Sequence, residues 1–239
     1  MPLQESQFIV ITGASRGIGR AVAVEFARRR RNPLLLIARD AAGLEETARL
    51  CRAESSAEVM LRRCDLTDEQ AVDALVDQEQ LAFSRVGMLV NNAGYFDQTP
   101  VEEATAQDFR AQFDVNVLTA VHLTQRLLPR LREQPEARIS FVCSVTAQRG
   151  QARCGAYSAS KQALNGYIQS LRESLQDSNV AVTSVLLGQT WSTSWDGASV
   201  APERLASASD LGIFLNSVCD MSARSCVEEL VMRPQAGDL

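Results

Sequence analysis

Short apolar runs alternate with stretches of helical period along almost the whole chain. The run at 8–12, Phe-Ile-Val-Ile-Thr, is too short and too continuous for an amphipathic helix. Its β-branched content predicts a strand buried on both faces. Further strands are predicted at 34–38, 59–63, 88–90, 138–143, 181–187 and 229–232. Between them apolar residues recur at three- and four-residue intervals, which predicts helices at 17–30, 44–53, 69–82, 104–113, 117–131, 157–176 and 207–219. Strands spaced by helices form βαβ units. Their right-handed crossovers leave an open parallel sheet with both faces covered. The expectation is an α/β fold with a doubly wound parallel sheet of about seven strands. No shift of composition divides the chain, so 1–239 reads as one domain. The least regular stretch, 188–206, holds both tryptophans, Trp191 and Trp195. It leaves the carboxyl end of a strand, where ligands lie in open α/β sheets, and reads as a substrate lid.

Composition narrows the classes. Apolar residues are 46% of the 239, enough in a chain this long to bury a continuous core. The net charge is −5 and the arginines are scattered among acids, which argues against a nucleic-acid surface. The arginine run at 28–31 ends a predicted helix, where cations suit the dipole, so it reads as structural. No apolar run reaches the roughly 20 residues of a membrane helix, and residues 1–7 show no apolar signal region. Six cysteines without a C-x-x-C pair, beside the single histidine His122, argue against a metal site. They fit reduced thiols in the cytoplasm. His122 reads as a core or interface residue and Cys143 as an inert core thiol.

The segment Thr12-Gly13-Ala14-Ser15-Arg16-Gly17-Ile18-Gly19 follows the first strand and opens a helix. Glycines there allow a tight turn and a close approach of backbone to a pyrophosphate, and the helix start supplies N–H donors and a positive dipole. The segment lacks the Gly-Lys-Ser/Thr ending of a P-loop, which argues against an NTPase. At the end of the second strand, an acid would bind a ribose 2′-hydroxyl, whereas an arginine would accept a 2′-phosphate. The chain reads Ile37-Ala38-Arg39-Asp40. Arg39, with Arg16 in the glycine loop, favours NADP over NAD. Asp40 is expected to turn away and cap the next helix.

All but one of the 24 Lys+Arg residues are arginine, and the exception is Lys161. It closes Tyr157-Ser158-Ala159-Ser160-Lys161, one helical turn after the tyrosine. A compact ammonium on a flexible stem does what the planar guanidinium cannot. A site that needs a point charge close to a phenol and a ribose is the reading.

Taken with residues 12–19, this pair makes the chain resemble the short-chain dehydrogenase/reductase family over nearly its whole length. The resemblance is carried further by Cys64-Asp65-Leu66-Thr67, by Asn91-Asn92-Ala93-Gly94, by Asn116, and by Ser144 thirteen residues before Tyr157. It implies a Rossmann-type single domain. It also implies NADP(H)-dependent hydride transfer between a nicotinamide and a carbonyl or secondary alcohol. Tyr157 would be the general acid/base, with its pKa lowered by Lys161. Ser144 would orient the substrate oxygen, and Asn116 would hold a water linking Lys161 to solvent. Cofactor contacts are expected at Gly13, Ser15, Arg16, Gly17, Ile18, Gly19, Arg39, Asp65, Leu66, Asn92, Ala93, Gly94, Tyr157, Lys161, Gly188 and Thr190. Asn91 is expected near the adenosine.

Two departures from the family pattern stand out. Leu187-Gly188-Gln189-Thr190-Trp191-Ser192 has lost the usual proline, and Thr190 replaces the residue whose backbone grips the carboxamide. Ser192 or Thr193 is then expected near the pyrophosphate. The C-terminus lacks a Val-Asp-Gly-Gly signature, which points towards small reductases of hydroxy acids, diketones or assorted carbonyls. A 3-oxoacyl-carrier-protein reductase is the narrower alternative. A non-catalytic NADP-binding sensor or scaffold is the alternative from another class, and the presence of both Tyr157 and Lys161 argues against it. A sugar epimerase would need a second domain that the chain has no room for. The resemblance also implies a homodimer or homotetramer formed by helices 117–131 and 157–176. Leu164, Ile168, Leu171 and Leu175 recur there at helical spacing, and some of that face must bury in the protein's own core, so sequence alone does not allocate it.

Overall fold

A computed structural model of the protein describes residues 3–195, 197–222 and 224–238. Positions 1, 2, 196, 223 and 239 belong to the single-domain reading, and 196 to the expected lid; they lie outside the described residues. Seven strands form one parallel sheet: β1 (Phe8–Thr12), β2 (Leu34–Ala38), β3 (Val59–Arg63), β4 (Val86–Asn91), β5 (Ala137–Ser144), β6 (Val180–Leu187) and β7 (Glu229–Met232). Their order is β3-β2-β1-β4-β5-β6-β7. The registers Val10↔Leu35, Val10↔Leu89, Ile139↔Val182 and Val185↔Leu230 bring aliphatic residues side by side across it. β1, β2, β4 and β5 are buried at every position, as parallel strands covered on both faces must be.

The helices are α1 (Gly17–Arg29), α2 (Ala41–Glu54), α3 (Glu69–Gln78), α4 (Gln80–Phe83), α5 (Ala106–Phe113), α6 (Thr119–Arg132), α7 (Gly155–Ser174) and α8 (Ala208–Asp220). They sandwich the sheet between two cores. One packs α3, α6 and α7 residues such as Val72, Leu123 and Ile168 against Val10, Leu89 and Phe141. The other packs Val22, Phe26 and Leu215 against Ile9, Leu36 and Val90. Each fully buried side chain of this size contributes about 1.5–3 kcal/mol by leaving water.

The structure corrects several sequence expectations. The helix expected at 69–82 breaks at Glu79 into α3 and α4. The two helices expected at 104–113 and 117–131 are one rod, joined by a π-helical turn at Asp114–Leu118. Leu164, Ile168, Leu171 and Leu175 belong to the protein's own core. His122 is not a core residue: it lies half-buried on α6 with Nε2 3.1 Å from Asp73 Oδ1 on α3. The arginines at 28–31 are structural as expected, since Arg28 and Arg29 pair with Glu25 and Arg30 pairs with Asp220. Among the described residues, no helix is long and apolar enough to cross a membrane.

Candidate active site

β1 sits between β2 and β4, so the chain turns one way after the first strand and the other way after the fourth. The loops that leave these two strands diverge and open a crevice at the carboxyl edge of the sheet. Two connected hollows fill it. The larger, of about 760 Å³, is lined by Gly13, Ser15, Arg16, Gly17, Ile18, Gly19, Arg39, Asp65, Leu66, Asn92, Ala93 and Gly94. The smaller, of about 210 Å³, is lined by Ser144, Tyr157, Lys161, Gly188 and Thr190 and shares Ile18, Asn92 and Gly94 with the first. Seventeen of the eighteen distinct site residues expected from sequence therefore line one continuous crevice. Asn116 stands behind it.

The floor of the larger hollow is the glycine turn. Gly13 and Gly17 have φ of +65° and +55°, which side chains rarely adopt. A Cβ on Gly19 would lie 2.3 Å from the Gly13 carbonyl oxygen, so the helix start can press on the turn only without a side chain. α2, α3, α5 and α8 open on side-chain caps from Asp40, Asp68, Thr105 and Ser207. α1 opens on Arg16 with no such cap, and its first residues line the hollow. Uncapped N–H groups at a helix start make an anion site. Thr12 Oγ1 accepts from the backbone N–H of Asn92 and of Ala93, both at 2.9 Å, and so ties the β1 turn to the β4 loop.

Sequence reasoning missed a second fastening. Arg20 donates from Nε to Thr47 Oγ1 at 3.0 Å, and from its terminal nitrogen to the carbonyls of Ser15 and Gly43. Thr47 in turn donates to the Ala14 carbonyl at 2.9 Å. The glycine loop is thereby fixed to α2. No local pattern points to Thr47 as an anchor of the glycine loop, because the partners that tie it there, Arg20 and Ala14, lie 27 and 33 residues away.

At the far end of the hollow, Asp40 caps α2 by accepting from the Gly43 N–H at 3.1 Å. Arg39 is exposed, with its nearest carboxylate, Asp65, at 3.8 Å. Asp65 is already engaged: it accepts from the Thr67 N–H at 3.0 Å and hydroxyl at 2.8 Å. Those bonds hold its carboxyl below the usual range. Asn91, expected near an adenosine, is elsewhere. It is buried and donates to Thr124 Oγ1 at 3.0 Å, joining β4 to α6.

The smaller hollow is built by β5 and α7. Ser144 ends β5, where its hydroxyl accepts from the Thr146 N–H at 3.2 Å and lines the hollow together with Tyr157. Phe96 packs edge-on against the Tyr157 ring, with centroids 4.8 Å apart. One turn later on α7, Lys161 is buried and donates to the Val142 carbonyl at 3.2 Å. Its Nζ lies 5.8 Å from the centre of the Tyr157 ring. Loss of solvent pushes the ammonium's pKa down. The same cause pushes the Tyr157 phenol above its ordinary value, while the neighbouring Ser144 hydroxyl pulls the other way. The expected lowering of the phenol by Lys161 is therefore not what dominates here: burial does. Cys143 is a core thiol. It donates to the Lys161 carbonyl at 3.5 Å, and burial raises its pKa.

Asn116 occupies the π turn. Its Nδ2 donates to the Tyr95 carbonyl, to Gln112 Oε1 and to Ser160 Oγ, and its Oδ1 accepts from the Tyr95 N–H. The inserted residue of a π turn re-aims a side chain out of the regular ladder. A Cβ on Gly94 would lie 3.0 Å from Asn116 Oδ1 and 3.6 Å from Lys161 Nζ. The bare glycine is what keeps the two near one another. The stretch 188–206, expected as a lid, begins where Gly188 N–H donates to the Met232 carbonyl. Its base is closed by the Thr190↔Ala206 bridge, and Trp195 Nε1 donates to the Thr190 carbonyl at 3.1 Å. Ser192 and Thr193 line the larger hollow. Among the described residues no group of His, Cys, Asp or Glu is placed to hold a metal ion.

A family model described as short chain dehydrogenase matches residues 7–202. Sepiapterin reductase of Chlorobaculum tepidum is 30% identical over 238 residues, 97% of each chain. L-sorbose reductase from Gluconobacter frateurii, solved with NADPH and L-sorbose, superposes with a TM-score of 0.87 at 26% identity, covering 100% of this chain and 99% of that one. An alcohol dehydrogenase from Thermococcus sibiricus, complexed with 5-hydroxy-NADP, gives 0.88 over 98% and 99%. At 24% identity that likeness speaks for the fold alone. On the strength of the match over 7–202, the chain belongs to the short chain dehydrogenase family.

Proposed function

We propose that the protein is an NADP(H)-dependent oxidoreductase that interconverts a carbonyl and a secondary alcohol, with Tyr157 as general acid. The observation that carries this reading is the convergence of Ser144, Tyr157 and the buried Lys161 on one wall of the smaller hollow, where it meets the larger.

The chain's residues fit the dinucleotide. The uncapped start of α1 and the glycine turn suit a pyrophosphate. Arg16 and Arg39 suit a 2′-phosphate: Asp40 is held in its cap, and Asp65, 3.8 Å from Arg39, is engaged by Thr67. Lys161 has a buried ammonium with one carbonyl partner among the described residues and two donors to spare, which suits ribose hydroxyls. When bound, the cofactor supplies or accepts the hydride. The chain's own residues handle the proton. Ser144 donates a hydrogen bond to the substrate oxygen and orients it. Tyr157 holds a proton on its phenolic oxygen and delivers it to that oxygen as negative charge develops. Lys161 supplies positive charge one turn away, and Asn116 positions the polar environment behind it.

Burial raises the phenol's pKa, so the protonated form that reduction needs persists into the alkaline range. Oxidation needs the phenolate and gains as pH rises. A homodimer or homotetramer goes with this reading: Phe113 and Leu118, on the rod through the π turn, remain exposed at 37% and 47%. Sedimentation at a monomer mass would refute that part.

The test is nicotinamide absorbance with NADPH, NADH and a panel of ketones, including carrier-linked 3-oxoacyl substrates. NADPH-dependent loss of absorbance is the expected result. Silence across the panel while NADPH remains bound would replace the enzyme with a sensor on the same fold.

A further inference from the structure

We propose that Arg153 is a carboxylate-binding residue of the smaller hollow and that the substrates are compact oxo acids; this rests on the reductase reading above. A hollow of about 210 Å³ is smaller than the roughly 300–1,000 Å³ that hold drug-sized ligands, so the reacting molecule is small. Among its described lining residues the charged groups are Lys161, Arg153 and Asp238. Lys161 is committed to the Val142 carbonyl and faces the larger hollow's Gly94. Asp238 is paired with Arg233. Neither Arg153 nor Lys161 has a partner of opposite sign among the described residues, but Lys161 is buried and turned to Gly94 of the larger hollow, whereas Arg153 is exposed to the smaller one.

Its position is also built. Arg153 Nε donates to Gln151 Oε1 at 3.0 Å, which leaves the two terminal nitrogens as an open fork. That fork matches a carboxylate bidentately. The Gln151 N–H donates to Ser158 Oγ at 3.1 Å, and the Val101 N–H donates to the Ala152 carbonyl at 2.8 Å. The 3-10 turn Ala152–Cys154 that carries Arg153 is therefore pinned from both sides and runs straight into α7. Arg153 precedes Tyr157 by four residues. A carboxylate on the fork and a carbonyl under the phenol are held by one rigid segment, and the spacing between them selects the substrate.

Pyruvate, acetoacetate and levulinate, each with its methyl ester, test this in the wild type and in Arg153→Ala and Arg153→Lys. The preferred acid should exceed its ester in kcat/KM by roughly 10- to 100-fold, the scale of one charge-assisted pair. Arg153→Ala should erase that preference through KM and leave the ester unchanged, and Arg153→Lys should restore part of it. An acid-to-ester ratio that is the same in wild type and Arg153→Ala overturns the carboxylate site while leaving the reductase standing. Titration of the NADP-loaded protein with butyrate, against butyramide, separates the other case. Butyrate binding that needs Arg153, in a protein that reduces no carbonyl, would keep the site and remove the reductase reading.

Discussion

The two hollows of the crevice are built by different means. The larger is fastened in place before any ligand arrives. Thr12 ties one loop to the other, Arg20 and Thr47 tie the glycine turn to α2, and Asp40 is spent on a cap. The smaller has a wall of β5 and α7 and, beside it, the irregular stretch 188–206. That stretch is held by the Thr190↔Ala206 bridge, by backbone bonds of Ala206 with Gln189 and Trp191, and by Trp195 Nε1, with two short 3-10 turns, Thr193–Trp195 and Pro202–Arg204, between. The contrast teaches that this chain fastens the glycine turn and the wall of Ser144, Tyr157 and Lys161 firmly, and finishes the smaller hollow with side chains from less regular segments.

Four substitutions can break or sharpen that contrast. Lys161→Arg keeps the charge but not the shape, and a guanidinium does not fit the buried place beside Val142 and Gly94. Turnover should fall by roughly 100- to 1,000-fold, as for loss of a preorganised electrostatic group. Wild-type activity in this variant would show that any cation serves. Gly19→Ala comes next. Its Cβ clashes with the Gly13 carbonyl, so overpacking of about 1–3 kcal/mol should appear as a lower melting temperature and weaker NADPH binding together. An unchanged melting curve would mean that the turn is softer than described.

Arg39→Ala should weaken NADPH roughly 10-fold or more and NADH little, on the scale of one charged hydrogen bond. Equal losses for both would remove Arg39 from the phosphate site. The smallest effect is on stability. Lys161→Met removes a buried cation, so the cofactor-free protein should gain about 1 kcal/mol, or about 2–4 °C at this size, while activity is lost. The sign with pH is fixed by the lowered pKa of Lys161. The unfolded chain holds that proton more tightly. The penalty is therefore complete below the folded pKa and fades as pH rises towards the ordinary lysine value. A gap between variant and wild type that widens with pH would contradict this.

Much of the cofactor half was legible in the sequence because short local patterns specify it. Continuous apolar runs mark the strands, and glycines with positive φ mark the turn. The lone lysine marked the pair on α7. What escaped notice depends on contacts between distant segments. The break at Glu79 leaves an apolar pattern intact on both sides, so periodicity alone reads through it. The π turn adds one residue to a rod, which periodicity reads as two helices. Asn91 looks like its neighbours in a motif, but it lies on β4 and bonds to Thr124 on α6. Thr47 and Arg153 carry no signature at all. Each gains its place from loops that meet only in the folded chain.

The pH profile sharpens the account of the phenol. Reduction should be flat through neutrality and decline only in the alkaline range, whereas oxidation should climb with pH. The most direct test is Tyr157→Phe, followed by carbonyl-dependent NADPH oxidation and by cofactor fluorescence on binding. Turnover should drop by roughly 100- to 10,000-fold, the span of general acid catalysis, with NADPH affinity kept. A variant that still reduces ketones near the wild-type rate would show that the proton comes from elsewhere.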